Sequence, residues 1–132
     1  MDRDAEILQA IADPTRLRLL NLLTQAVEIC VCELVDALGV PQYSVSRHLN
    51  VLAAAGWVTD RRQGKWIYYR ISRELKPYQK TLLKALGQLR EERPDFHQDE
   101  ARAGRRLEFR RDGVCCVGLV EKIGEALSSR HK

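Results

Sequence analysis

The stretch EICVCELVDALGVPQYSVSRHLNVLAAAG, residues 28–56, holds two runs of apolar residues with the spacing of an α-helix, separated by Gly39 and Pro41. The apolar positions are Leu34, Val35 and Leu38 in the first run and Val45, Leu49 and Leu52 in the second. Glycine commonly ends a helix, so the pattern predicts a first helix from about Cys30 to Leu38 and a second that ends at Gly56. Two short helices joined by a tight turn are typical of a helix–turn–helix.

The segments that flank this pair predict further helices and one hairpin. Upstream, apolar spacing predicts a short helix over 4–12, and the Asp-Pro pair at 13–14 has the residue types that begin a second helix. Downstream, WVTDRRQGKWIYYRI, residues 57–71, alternates as strands do, and the Gln-Gly pair at 63–64 supplies a turn. We therefore expect a mainly α fold with a β-hairpin, arranged as a winged helix–turn–helix.

A last strongly periodic segment, residues 72–92, predicts how two copies of the chain associate. It carries one long apolar stripe, whose members are Leu75, Tyr78, Leu82, Leu86 and Leu89. A stripe of this length on a terminal helix favours a dimer face. Because residues 94–112 are polar and arginine-rich, we divide the chain into a DNA-binding and dimerisation domain over 1–92 and a polar tail over 93–132 that carries a vicinal cysteine pair.

The composition is that of a globular protein with a modest positive charge. The 132 residues are 45% hydrophobic and 30% charged, with a net charge of +4 and a pI near 9.0. These values permit nucleic acid as a partner but do not require it. No apolar run approaches the ~20 residues that cross a bilayer, and the acidic N-terminal stretch lacks the order of a signal peptide, which predicts a cytoplasmic protein with no membrane partner.

The second helix of the pair and the hairpin carry the residue types that contact DNA. A recognition helix presents polar and basic side chains to base edges, and a basic wing binds phosphates. The DNA-binding candidates are Gln42, Tyr43, Ser44, Ser46, Arg47, His48 and Asn50 on the helix and Arg61, Arg62 and Lys65 on the wing. His48 flanks the apolar stripe, so a packed or capping histidine is an equal alternative to a DNA contact.

Four cysteines, Cys30, Cys32, Cys115 and Cys116, need an explanation. A reducing cytoplasm disfavours a disulfide framework, which leaves metal binding, redox chemistry or burial as apolar residues. Adjacent cysteines have Cα atoms ~3.8 Å apart, closer than ordinary disulfides prefer, so the pair at 115–116 suits a soft ion better than a disulfide. Because neither a CxxC motif nor an acid–base partner accompanies that pair, we expect no enzyme activity.

Beyond these patterns, the sequence resembles the ArsR/SmtB family of metalloregulatory winged-helix repressors over about residues 6–89. The resemblance rests on DPTRLRLL, EICVCELVDALGV, SVSRHLNVLAAAGWV and RRQGKWIYYRIS. It implies a homodimer that binds double-stranded operator DNA, represses transcription and leaves the DNA when a metal or metalloid ion binds. The CVC box at 30–32 is similar to that of arsenite- and antimonite-responsive members, which implies an arsenic-resistance operon, As(III) or Sb(III) as inducer and no permanent cofactor.

One position departs from the pattern of many arsenite sensors. In those proteins a third cysteine follows the second by three residues, and Val35 stands at that place here. Trivalent arsenic favours three sulfur ligands. We therefore expect Cys30 and Cys32 to bind the inducer, with Cys115 or Cys116 as the third ligand, within one subunit or across the dimer.

The spacing of the first two thiols also predicts how binding releases DNA. Residues at i and i+2 lie on the order of 200° apart around an α-helix, so Cys30 and Cys32 cannot hold one ion while that helix stays regular. We expect ligand binding to unwind or bend the front of the helix and to shift the recognition helix that it supports.

Three alternative functions stay open from the sequence. A cadmium, lead or zinc sensor of the same family would take a fourth ligand from His97 or His131, although no cysteine precedes Cys30 to complete such a site. A thiol redox switch would cycle the pair at 115–116 between dithiol and disulfide. A structural dimerisation module would use the basic wing for solubility only and would show no salt-dependent binding to operator DNA.

Overall fold

A computed structural model describes residues 2–110, which form six helices and a three-stranded antiparallel sheet. The helices are α1 Arg3–Ile11, α2 Pro14–Leu23, α3 Val31–Leu38, α4 Gln42–Ala54, α5 Pro77–Arg90 and α6 Pro94–Leu107. The strands are β1 Ile29–Cys30, β2 Val58–Gln63 and β3 Trp66–Ile71. The mainly α, winged helix–turn–helix architecture is confirmed, with α3 and α4 as its two helices. No helix within residues 2–110 is both long and apolar enough to cross a membrane.

The ends of the elements follow from local chemistry. The carboxylate of Asp13 accepts a hydrogen bond of 3.0 Å from the backbone N–H of Arg16, which caps α2, and Gly39 ends α3 with a φ of 67°. In the hairpin Gln63 pairs with Trp66 across the strands, so the turn lies one residue later than predicted, at residues 64–65. Gly64 adopts a φ of 60° there, which L-residues with side chains rarely do.

One apolar core holds the helices against the sheet. The predicted inward positions of α4, Val45, Leu49 and Leu52, are fully buried. Trp57, at the start of the hairpin, is buried with them, and its indole N–H donates a hydrogen bond of 2.8 Å to the backbone oxygen of Ile7 in α1. Because each such side chain contributes about 1.5–3 kcal/mol on burial, this core fixes α4 relative to the hairpin.

The sheet contains a strand that the sequence pattern did not predict. The two residues of β1 pair with β3, Ile29 opposite Tyr69 and Cys30 opposite Tyr68, so the strand order is β1-β3-β2. Cys30 therefore has extended backbone, with φ −72° and ψ 148°, and α3 begins only at Val31. The predicted helical position of Cys30 is wrong, because β3 offers its backbone a ladder partner.

The segment after α5, expected to be a polar tail, begins with a helix. In α6, Phe96 and Ala103 are buried in the common core, and the helix packs against α2 and α3. Asp99 is fully buried on the same face and accepts hydrogen bonds from Arg18 and Arg102, each at 2.8 Å. The division of the chain at residue 93 stays a prediction, and the vicinal cysteine pair lies outside the described residues.

Candidate DNA-binding surface and thiol site

The outward face of α4 presents the polar residues predicted to contact DNA. Burial of the apolar stripe on the opposite side leaves this face to solvent. Four of the candidates are exposed, namely Gln42, Tyr43, Arg47 and Asn50. Ser44 and Ser46 are half-buried. Tyr43 is 77% exposed, an unusual position for a large aromatic side chain. Such an array of donors and acceptors can reach base edges and phosphates.

His48 differs from the other candidates on α4 because its side chain is buried. Its Nδ1 lies 3.0 Å from Arg16 Nη1 and 3.9 Å from a carboxylate oxygen of Asp13. Burial lowers the pKa of His48, an effect that the charges of Arg16 and Arg47 reinforce and that of Asp13 opposes. The packed position that the sequence left as an alternative is therefore the one His48 occupies, between α4 and the start of α2.

The hairpin, residues 58–71, is called the wing below, and its three basic candidates differ in their surroundings. Arg62 and Lys65 are exposed, and the ammonium of Lys65 lies 4.9 Å from the centroid of the Trp66 ring. Arg61 forms a two-pronged ion pair with Glu28 and stacks over Tyr68, 4.5 Å from its centroid. The Arg61 guanidinium holds the pKa of Glu28 below its usual value. Arg61 is thus tied to the segment that leads into β1.

Cys30 and Cys32, called the thiol pair below, lie side by side in the interior. Their Sγ atoms are 3.2 Å apart, and both are buried with Tyr68 against Trp66 of the wing. Two sulfurs joined to one ion by bonds of ~2.3 Å lie at most ~4.6 Å apart. The expectation that binding must unwind α3 is therefore wrong, since Cys30 precedes the helix and its sulfur already meets that of Cys32.

Charged groups that sequence reasoning missed surround the thiol pair. Glu33 accepts a hydrogen bond of 2.8 Å from the backbone N–H of Cys30, and a guanidinium nitrogen of Arg106 lies 3.6 Å from Cys32 Sγ. Arg110 pairs with Glu33 in turn. The available signal was the spacing of three arginines, 102, 106 and 110, four residues apart in a segment without an apolar stripe.

The other predicted ligands are elsewhere in the chain. His97 lies on α6, where its Nε2 is 2.9 Å from the backbone oxygen of Arg90. Cys115, Cys116 and His131 lie outside the described residues. Within residues 2–110, no group of three or more His, Cys, Asp or Glu side chains is placed to hold a metal ion.

An exposed polar helix in a helix–turn–helix, followed by a basic hairpin, defines a winged helix–turn–helix DNA-binding protein. Residues 13–60 match the model of the arsR family of bacterial regulatory proteins. The chain belongs to the ArsR family, which comprises transcriptional regulators and not enzymes.

Two relatives and one solved structure support this assignment. The chain is 36% identical over 113 residues to the arsenic resistance transcriptional regulator ArsR2 of Pseudomonas putida, covering 84% of this chain and 96% of that protein. It is 45% identical over 67 residues to the arsenical resistance operon repressor of Escherichia coli, covering 51% of this chain and 57% of that protein. Its structure is also similar to that of a homodimeric winged helix–turn–helix domain from Mycobacterium bovis, with a TM-score of 0.58 and 30% sequence identity. The match covers 70% of this chain and 82% of that domain.

Proposed function

We propose that this chain is a homodimeric repressor of an arsenic-resistance operon that leaves its operator when trivalent arsenic or antimony binds the thiol pair. The observation that carries the proposal is the approach of Cys30 and Cys32 to 3.2 Å at a buried position that touches the wing. Relatives named as arsenic-resistance regulators in two bacteria support the choice of operon. The proposed site of action is the cytoplasm, where the operator lies.

DNA binding is assigned to α4 and the wing. The exposed polar face of α4 supplies hydrogen bonds to base edges, with Arg47 as its one cation among the candidates. Arg62 and Lys65 supply exposed positive charge on the wing for phosphates. His48 contributes to DNA binding indirectly, because its buried side chain fixes α4 against Asp13 and Arg16.

A second copy of the chain is proposed to pack along α5. The predicted stripe is only partly covered within one chain: Leu86 is buried, whereas Leu82 and Leu89 remain half-buried. These leucines border an apolar groove of about 300 Å³ that Leu17 and Trp57 also line. Homodimerisation buries such surface, and two copies present two wings and two recognition helices to successive turns of DNA. The homodimeric domain from Mycobacterium bovis supports this arrangement.

The donor chemistry of the thiol pair favours a thiophilic inducer. Thiolates select soft ions, and trivalent arsenic or antimony reaches three sulfurs with one further thiolate, for which we propose Cys115 or Cys116. The first two sulfurs need no change in α3 to approach one ion. Conformational change is therefore expected at the groups packed against the sulfurs.

Tyr68 is the proposed link between the thiol pair and DNA. Its ring is fully buried against both cysteines, and the guanidinium of Arg61 lies 4.5 Å from the ring centroid. An ion that enters between the sulfurs must displace atoms in this close-packed cluster. Movement of Tyr68 would carry β3 and Arg61 with it and so change the position of the wing relative to α4.

Fluorescence anisotropy of the reduced protein on its upstream DNA tests the proposal. Parallel titrations use arsenite, antimonite, cadmium and zinc, and a further sample is oxidised. We expect release at low stoichiometry by arsenite and antimonite. Release by cadmium or zinc alone would replace the inducer with a divalent ion, and release on oxidation alone would replace ion sensing with a redox switch.

A further inference from the structure

The tip of the wing, residues 62–67, extends beyond the part of the sheet that has three strands. The register places Cys30 of β1 opposite Tyr68 of β3, and Tyr68 opposite Arg61 of β2. Cys30 is the last residue of β1, so the next rungs towards the tip join only β2 and β3. A two-stranded hairpin is only marginally stable by itself in water. The tip, which carries the two exposed cations assigned to phosphates, therefore depends on contacts at its base for a fixed position.

Arg61 lies at this last three-stranded rung and reaches across the sheet. Because Arg61 and Tyr68 are direct partners, their side chains lie on the same face, and the guanidinium stacks 4.5 Å from the centroid of the Tyr68 ring. The same guanidinium meets the carboxylate of Glu28, the residue that precedes β1. Arg61 Nε donates to Glu28 Oε2 at 2.8 Å, and Arg61 Nη2 donates to Glu28 Oε1. The Arg61 side chain thus joins β2 to the residue that leads into β1, across the intervening β3.

The third nitrogen of the guanidinium is engaged within the wing. Arg61 Nη1 donates a hydrogen bond of 2.9 Å to Gln63 Oε1. All three nitrogens therefore bind groups of the same chain, and the guanidinium is stacked on an aromatic ring as well. A bidentate pair of arginine and carboxylate has a defined geometry in addition to its charge. An arginine held in this way is oriented by the protein and not by DNA.

Glu28 is itself held in place by other parts of the chain. Arg110, in the turn that follows α6, donates from Nη2 to the backbone oxygen of Glu28 at 2.7 Å. Ile29, the next residue, pairs with Tyr69 in the sheet. The backbone around residue 28 is therefore fixed both by the end of α6 and by the sheet. Its carboxylate is a firm anchor for Arg61.

We propose that Arg61 is a positioning residue, tied to Glu28, that sets the orientation of the wing tip instead of contacting DNA itself. The inference rests on the proposed function, since it takes α4 and the wing to be the DNA-binding surface. The phosphate contacts of the wing are then left to Arg62 and Lys65. The ion pair at the base of the tip holds these two cations at a fixed position relative to α4. Glu28, an acidic residue, thereby contributes to affinity for a polyanion.

The sign of one substitution separates positioning from contact. If Arg61 binds a phosphate, Glu28→Gln releases its guanidinium and removes a negative charge, so DNA binding becomes tighter. If Arg61 positions the tip, Glu28→Gln removes the anchor and DNA binding becomes weaker. Asp60→Asn is the matched control, because it removes the same charge from an exposed position next to Arg61 on β2.

The test measures the affinity of reduced, full-length variants for the upstream DNA by fluorescence anisotropy, without inducer and at several salt concentrations. We expect Glu28→Gln and Arg61→Gln each to weaken binding by on the order of 3–10-fold, as the loss of a partly exposed ion pair and one cation–π contact implies. The slope of log affinity against log salt should stay at the wild-type value, because no phosphate contact is lost. The double variant should bind about as tightly as either single variant, since all three lack the same interaction. Asp60→Asn should bind at least as tightly as the wild type.

Two results would overturn the inference. Tighter binding by Glu28→Gln, or a slope reduced by about 1 in Arg61→Gln, would make Arg61 a phosphate contact. Wild-type affinity in both variants, with only a lower Tm, would make the ion pair a stabilising contact of the fold and nothing more.

Arg62→Ala, measured in parallel, separates these results from failure of the proposed function. If Arg62→Ala lowers both affinity and slope while the Glu28 and Arg61 variants give either result above, the inference alone is refuted. If Arg62→Ala also leaves affinity and slope at the wild-type values, the wing does not bind phosphates, and the assignment of DNA binding to the wing falls with the inference.

Discussion

Arg106→Met should destabilise the fold strongly, because the change leaves the Asp36 carboxylate in the interior without the guanidinium that now neutralises it. The side chains of this pair are only 2% and 4% exposed, and their polar atoms are 2.6 Å apart. Removing one partner of a buried ion pair costs about 3–5 kcal/mol. Arg3 and Glu6 in α1 form an exposed pair, with 54% and 41% exposure, for which Arg3→Met should cost less than about 1 kcal/mol.

Urea unfolding at one fixed protein concentration measures this difference, since the stability of a dimer depends on concentration. With a slope of about 1–3 kcal/mol per molar urea, a loss of 3 kcal/mol lowers the midpoint by roughly 1–3 M. Arg106→Met combined with Asp36→Leu should recover most of the loss, because an apolar pair of similar volume avoids the desolvation of both charges. If Arg106→Met alone is no less stable than Arg3→Met, the buried pair of Arg106 and Asp36 does not stabilise the fold.

Three further predictions concern pH, DNA and assembly. Burial lowers the pKa of His48 below 6.5, so its contribution to stability is present above pH 6.5 and is lost as the pH falls towards the lowered value. The Tm of the wild type should therefore drop more steeply than that of His48→Gln as the pH falls below 6.5, and equal slopes would contradict this. Arg62→Ala should weaken operator binding at every inducer concentration and reduce the salt slope by about 1, whereas Arg105→Ala should leave the slope unchanged in the same anisotropy titrations. Leu89→Asp should shift the protein to monomers in sedimentation velocity, and a persistent dimer would exclude α5 as the interface.

The elements with a regular apolar period could be predicted from the sequence. The helix–turn–helix, the hairpin and α5 were found because their inward positions are leucine, valine and aromatic residues at fixed spacing. The helix α6 was missed because part of its inward face is charged. Asp99 and Arg106 are buried there by pairing with Arg18 and Asp36, and a partner supplied by another helix leaves no trace in local periodicity.

The site was predicted in its residues more than in its geometry. The sequence identifies Cys30 and Cys32 as candidate ligands. However, β1 consists of only two residues, which is too short for an alternating pattern to indicate a strand. Its existence depends on pairing with Tyr68 and Tyr69, some forty residues later in the chain. That pairing moves Cys30 out of α3 and brings the two sulfurs together. A helical wheel could not predict this contact.

Arsenite titration of operator complexes formed by Cys30→Ser and Cys32→Ser tests whether the thiol pair couples the inducer to DNA. Both variants should bind operator DNA with wild-type affinity, because neither sulfur lies on the exposed face of α4 or at the basic residues of the wing. Both should stay bound at arsenite concentrations that release the wild type completely. Release of either variant at the wild-type arsenite concentration would show that the thiol pair does not carry the signal to DNA.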